Sequence, residues 1–137
     1  MAAANLKPHA RAILVLLVVQ YLLGMAANLF VAFPQGAHDG QLWEFAWKQL
    51  PIAAHIIVAI ALLISALALL VRSIRAHDKN WKIASGVGFG TILLAGVAGS
   101  SFIPTQTAGY SYLMAVCFLI ALFAYGWGLT RPQGRAG

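Results

Sequence analysis

The chain has 137 residues, of which 61% are hydrophobic types and only 9% are charged. A soluble domain carries about 25% charged residues, so this composition excludes a water-soluble globule and points to a single integral membrane domain over residues 1–137. The net charge of +6 is no nucleic-acid signature, because the cations cluster at the ends of apolar runs, where anionic lipid and the membrane potential account for them.

Residues 1–10, MAAANLKPHA, form a short leader. The first apolar run, about 11–33, follows Lys7 and Arg11 as a signal-peptide core would, but it is longer than such a core and is expected to stay as a span. Phe33-Pro34-Gln35-Gly36 should end its helix, since proline and glycine punctuate. In the following AHDGQLWEFAWKQLP, Trp43, Phe45 and Trp47 with Glu44 and Lys48 predict a short helix lying in the membrane interface, where indole rings are favoured. Glu44 and Lys48 stand at i,i+4, a weakly favourable pair. Pro51 suits the first turn of the second span, about 50–72.

A basic loop, SIRAHDKNWK, leads to the third span, about 82–103, which Pro104 should close. Thr105 to Gly109 make a tight connection to the fourth span, about 110–129, and the tail TRPQGRAG is expected to be disordered. About 20 helical residues cross a hydrocarbon core of roughly 30 Å. The predicted fold is therefore all-α: a four-helix transmembrane bundle with a short interfacial helix between spans one and two.

Charge predicts the orientation. Lys7, Arg11, Arg72, Arg75, Lys79, Lys82, Arg131 and Arg135 fall on one side, and only Lys48 falls on the other, beside Asp39 and Glu44. The positive-inside rule puts both termini in the cytoplasm.

Polar and small residues in the spans recur at helical spacing. Gln20, Gly24, Ala27 and Asn28 share a face of span one, and His55, Ala59, Leu62 and Ala66 share a face of span two. Span three carries Ala84, Gly88, Thr91, Ala95 and Ala98, with Gly86 and Gly90 on a neighbouring face. Span four carries Ser111, Ala115, Phe118, Leu122 and Tyr125. Close packing of four helices explains these stripes by itself. Depth adds a second reading. Asn28, His55, Ser100, Ser101, Tyr110 and Ser111 all fall near the outer ends of their spans, so antiparallel packing would gather them into an outward-facing polar pocket, with His38 and Asp39 folded over it.

His55 is the central candidate, because an ionisable side chain within a span is a functional-site hypothesis. It can be a neutral imidazole bonded to Asn28 or a serine, a metal or cofactor ligand, or a proton or substrate contact. A zinc or copper site would draw on His38, His55 and Asp39. A b-type haem would take His55 with His38 as second axial ligand. Cys117 stands alone, without a CxxC or Cys/His cluster. No intramembrane acidic pair, Ser-His-Asp set or phosphate loop argues for an enzyme, and the run Gly86-Val-Gly88-Phe-Gly90-Thr91 reads as helix packing.

Gln20-Tyr-Leu-Leu-Gly24 followed by a lone histidine early in span two resembles half of a haem A synthase and the small four-helix b-type cytochromes. Gly24-Met-Ala-Ala-Asn28-Leu-Phe, His55, Gly99-Ser-Ser-Phe102 and Ser111-Tyr-Leu-Met-Ala115 resemble uncharacterised actinobacterial four-span membrane proteins. The outward-facing pocket around His55 leads to the expectation of a small plasma-membrane protein binding haem b or a lipophilic redox cofactor such as a quinone, with His55 as ligand or hydrogen-bond partner and Asn28, Ser101 and Tyr110 lining the site. Two other classes stay open: an oligomeric channel or carrier using the glycines of span three as its subunit contact, and an accessory subunit of a larger membrane complex.

Overall fold

A computed structural model describes residues 5–34 and 37–131. The first four residues, Gln35, Gly36 and the tail from 132 on, with its expected disorder and Arg135, lie outside the described residues. Five helices follow one another: α1 (Lys7–Phe30), α2 (Asp39–Lys48), α3 (Leu50–Arg75), α4 (Lys79–Thr105) and α5 (Ala108–Thr130). Among the described residues, α1, α3, α4 and α5 are long and apolar enough to cross a bilayer. The all-α four-helix bundle with a short helix after the first span is thus the observed fold.

Local chemistry sets the helix ends. Pro8 and Pro51 stand in the first turns of α1 and α3, where a missing N–H costs nothing. The basic loop contracts to a turn of Ala76, His77 and Asp78, so most of its cations belong to helix ends. His77 takes a left-handed φ of 54°, and the Asp78 carboxylate accepts the N–H groups of Asn80 and Trp81 at 3.0 and 3.1 Å. This is an N-cap that satisfies donors the first helical turn leaves open. Pro104 does not terminate α4. It sits in the last turn, and the helix ends one residue later at Thr105, capped by Gln106 with φ 49° and its N–H on the Phe102 carbonyl at 2.7 Å. α1 stops at Phe30, ahead of Pro34.

The four long helices form a ring in the order α1, α3, α4, α5, each packed against its two neighbours. Up-and-down connections bring the start of α1, the end of α3, the start of α4 and the end of α5 to one end, the basic end. α2 covers the opposite end, packed against α3 and α4.

The interior mixes small residues with a few large ones, and the exterior is mostly large and apolar. Ala10, Ala66, Ala84 and Ala121 are buried with Leu17, Leu62, Leu69, Trp81 and Tyr125. Leu22, Leu29, Ile57, Ile64, Val97 and Phe123 point outward, and Phe30 is 80% exposed. Water would penalise this surface at about 25 cal/mol per Å² of apolar area. Lipid does not, so close backbone approach through small residues becomes the natural way to assemble the helices. The chain is built as a multi-pass membrane protein.

Candidate functional site

The sequence places His55 one turn and a half into α3, on the stripe that continues through Leu62, Ala66 and Leu69 into the core. The stripe turns the imidazole toward α1. There the two ring nitrogens meet one residue, Gln20. His55 Nδ1 lies 3.1 Å from the Gln20 backbone carbonyl, and His55 Nε2 lies 3.0 Å from the Gln20 side-chain nitrogen. A carbonyl only accepts, so Nδ1 carries the proton and donates it. Nε2 is then the acceptor for the amide N–H.

Gly24, one turn along α1, is what lets the ring come so near. A Cβ at Gly24 would stand 3.0 Å from His55 Cε1 and 3.4 Å from Nδ1. The edge of the imidazole that carries both nitrogens therefore rests on a bare stretch of α1 backbone, and hydrogen bonding follows from that approach. One atom of the pair is left over. Gln20 Oε1 is buried and has no partner among the described residues.

The other expected site residues are not gathered around His55. Asn28 is exposed, because α1 buries the stripe of Ala10, Ile13 and Leu17, with Gln20, Gly24 and Ala27 half-buried, and Asn28 falls to its side. His38 is exposed at the start of α2, where its backbone N–H donates to Gln41 Oε1 at 3.1 Å. Ser100 donates to the Val97 carbonyl of its own helix at 2.8 Å. Ser101 is half-buried, and its carbonyl accepts from Thr105 Oγ1 at 2.7 Å. Tyr110 lines a separate cavity of about 320 Å³ with Thr105, Thr107, Gly109 and Leu113. No hydrogen bond joins any two of His55, Asn28, His38, Ser101 and Tyr110.

The volume beneath α2 is filled by apolar side chains. Leu42 and Ala46, one turn apart, press onto Ile52 of α3 and Ile103 of α4, with Ala27, Val31 and Phe33 around them. Phe33 adds ring contacts to Phe45 at 5.6 Å and Phe102 at 6.0 Å. Trp47 is 50% exposed, as an interfacial indole would be. Among the described residues no three His, Cys, Asp or Glu side chains come together as a metal site would need.

Sequence reasoning missed the partner of His55. Gln20 and Gly24 were on the right face, and the signal was there: a side-chain amide followed one turn later by the residue that exposes the backbone. It also undervalued the basic half. There Ser73 of α3 and Ser85 of α4 are buried with hydroxyl oxygens 2.7 Å apart. One hydroxyl donates to the other, which donates to a carbonyl of its own helix, Leu70 or Trp81. Trp81 Nε1 and Tyr125 Oη are also buried there, without a partner among the described residues.

The fold and this pair define a class: a four-span α-helical membrane bundle with a histidine–glutamine clip between α1 and α3. Comparison of the chain with protein-family models, curated proteins and solved structures finds no match.

Proposed function

We propose that this is a small plasma-membrane protein, its basic end in the cytoplasm, that binds a lipophilic ligand at the His55–Gln20 pair. Seven cations, Lys7, Arg11, Arg72, Arg75, Lys79, Lys82 and Arg131, stand at the basic end, which supports the orientation. The observation that carries the binding reading is the unpartnered Gln20 Oε1. An acceptor left bare in a membrane interior costs about 1–3 kcal/mol, and a ligand hydroxyl that donates to it recovers that cost. The matching ligand is membrane-soluble and carries a hydroxyl donor on a ring, as a reduced quinone does. His55 is half-buried, so the seam between α1 and α3 is the side from which such a ligand would approach.

The test is binding of a decyl-chain benzoquinol to the detergent-purified protein, followed by tryptophan and tyrosine fluorescence. Saturable binding that weakens about tenfold in Gln20→Leu, about 1.4 kcal/mol, supports the reading. Equal binding by both proteins, or none by either, removes it.

A b-type haem is a second reading favoured by the same geometry. A ligating histidine donates its other ring N–H to a carbonyl, as His55 Nδ1 does to Gln20. Nε2 would have to exchange the amide for iron. A Soret band in haem-supplemented protein, lost in His55→Ala, is the result this reading requires.

A further inference from the structure

A groove on the outer surface of the basic half has no role in the His55 reading. It runs between α4 and α5, holds about 390 Å³, and has an apolar lining that includes Ile83 and Val87 on one wall and Phe123 and Trp127 on the other. Ala84, buried, forms its floor. Phe123 is 72% exposed, so the groove opens sideways to lipid.

Its mouth is charged. Lys79, Ile83 and Val87 stand at i, i+4 and i+8 of α4, so Lys79 lies on the groove face about 6 Å nearer the basic end than Ile83. On the other wall, Arg131 is the residue that follows the end of α5, and its guanidinium lies over the Trp127 ring, 4.9 Å from the centroid. Each wall of the groove is thus followed, beyond its apolar lining and toward the basic end, by a cation. The chain's three acidic residues are Asp39, Glu44 and Asp78. Two belong to α2 at the far end, and the third caps α4.

We propose that this groove binds one anionic phospholipid, an acyl chain lying along Ile83, Val87, Phe123 and Trp127 and the phosphate held between Lys79 and Arg131. Charge complementarity selects this occupant over a neutral lipid. Basic pockets between transmembrane helices hold anionic headgroups for the same reason, at about 1 kcal/mol or fivefold in affinity per cation. The stacked Arg131 is fixed in place by its cation–π contact, so less side-chain freedom is lost on binding. This inference does not depend on the ligand proposed for His55.

Native mass spectrometry of the full chain, with dioleoyl phosphatidylglycerol and dioleoyl phosphatidylcholine present at equal concentration, provides the test. The expected result is one retained lipid with a clear preference for phosphatidylglycerol. Lys79→Gln with Arg131→Gln should lower that preference about tenfold or more, on the same per-cation scale. Both positions are exposed, so the bundle should fold unchanged. Val87→Trp, at an exposed wall position, should lower retention of both lipids by filling the groove. Equal retention of the two lipids, or a preference that survives the double substitution, overturns the proposal. So does a lipid-free dimer that Val87→Trp dissociates, which would make a second copy of the chain the occupant.

Discussion

Two places in this bundle seat a ring against a glycine, and they do different things. Between α4 and α5, Tyr125 lies on Gly88 and Trp81 lies on Gly128. Each helix lends an aromatic ring to a glycine of the other, and both rings are fully buried, at 0% and 1% exposure. Their polar atoms, Tyr125 Oη and Trp81 Nε1, have no partner among the described residues. Between α1 and α3, His55 rests on Gly24 and both its ring nitrogens are engaged by Gln20. The first contact is governed by shape, and neither ring's polar atom is bonded among the described residues, whereas the second leaves only Gln20 Oε1 over. The second is governed by hydrogen bonding, and shape only makes room for it.

The largest way to break that contrast is Gly88→Ala. The new methyl would stand 2.5 Å from Tyr125 Cε2 and 2.7 Å from its hydroxyl oxygen. Tyr125 has nowhere to retreat, so the bundle should lose about 3 kcal/mol, the upper end for overpacking, in SDS-titration unfolding from detergent. Gly128→Ala meets Trp81 and Ala84 at 3.0 to 3.2 Å and should cost less, about 1–2 kcal/mol. If the two substitutions cost the same as alanine at an open site, shape does not govern α4–α5.

A double-mutant cycle sharpens the other side. His55→Leu and Gln20→Leu, alone and together, should reveal a coupling of about 0.6–1.7 kcal/mol, from the average to the maximum found for interhelical hydrogen bonds in membranes. Gly24→Ala should lose part of its cost once His55 is replaced, because the close approach it blocks no longer has a purpose. No coupling would mean the clip contributes nothing to the fold.

Gly90 is the control. A Cβ there meets nothing within 4 Å, so Gly90→Ala should leave stability unchanged or raise it by about 0.5–1 kcal/mol, the usual helical gain over glycine. A large loss at this position would reveal a partner on that face.

The smallest expected effect is at α2. The Lys48 ammonium, 2.6 Å from Glu44, bonds to its carboxylate and holds it below the usual glutamate range. A lowered acid contributes support that is present above its unfolded value and is lost as pH falls through the folded one. Acidification below the ordinary glutamate range should therefore loosen the end of α2 slightly, seen as a shift in Trp47 emission that Glu44→Gln abolishes.

Much of this was legible in the residues themselves. Long apolar runs such as Leu50 to Val71 announce spans because no other structure satisfies the backbone in hydrocarbon. The tryptophans of α2 announced an interfacial helix, and Pro51 its successor. Pro104 misled, because a proline in a last turn removes one bond without ending the helix. The candidate site was half legible. His55 stood out as an ionisable group among aliphatic ones, but its partner did not.

Sequence alone determined the four long apolar helices and the buried face of Ala84, Gly88 and Ala98 on α4, because composition and helical period are local properties, whereas Gly86 and Gly90, read as a packing face, meet nothing within 4 Å. Tertiary structure alone decided that His55 meets Gln20 and leaves Asn28 to the outside, and that Leu42, Ala46, Ile52 and Ile103 fill the space where polar groups were expected. Those outcomes depend on how far each helix is rotated and shifted against its neighbour. On an α-helix one residue is 100° of rotation, so residues close in sequence, such as Ala27 and Asn28, part company when two surfaces meet.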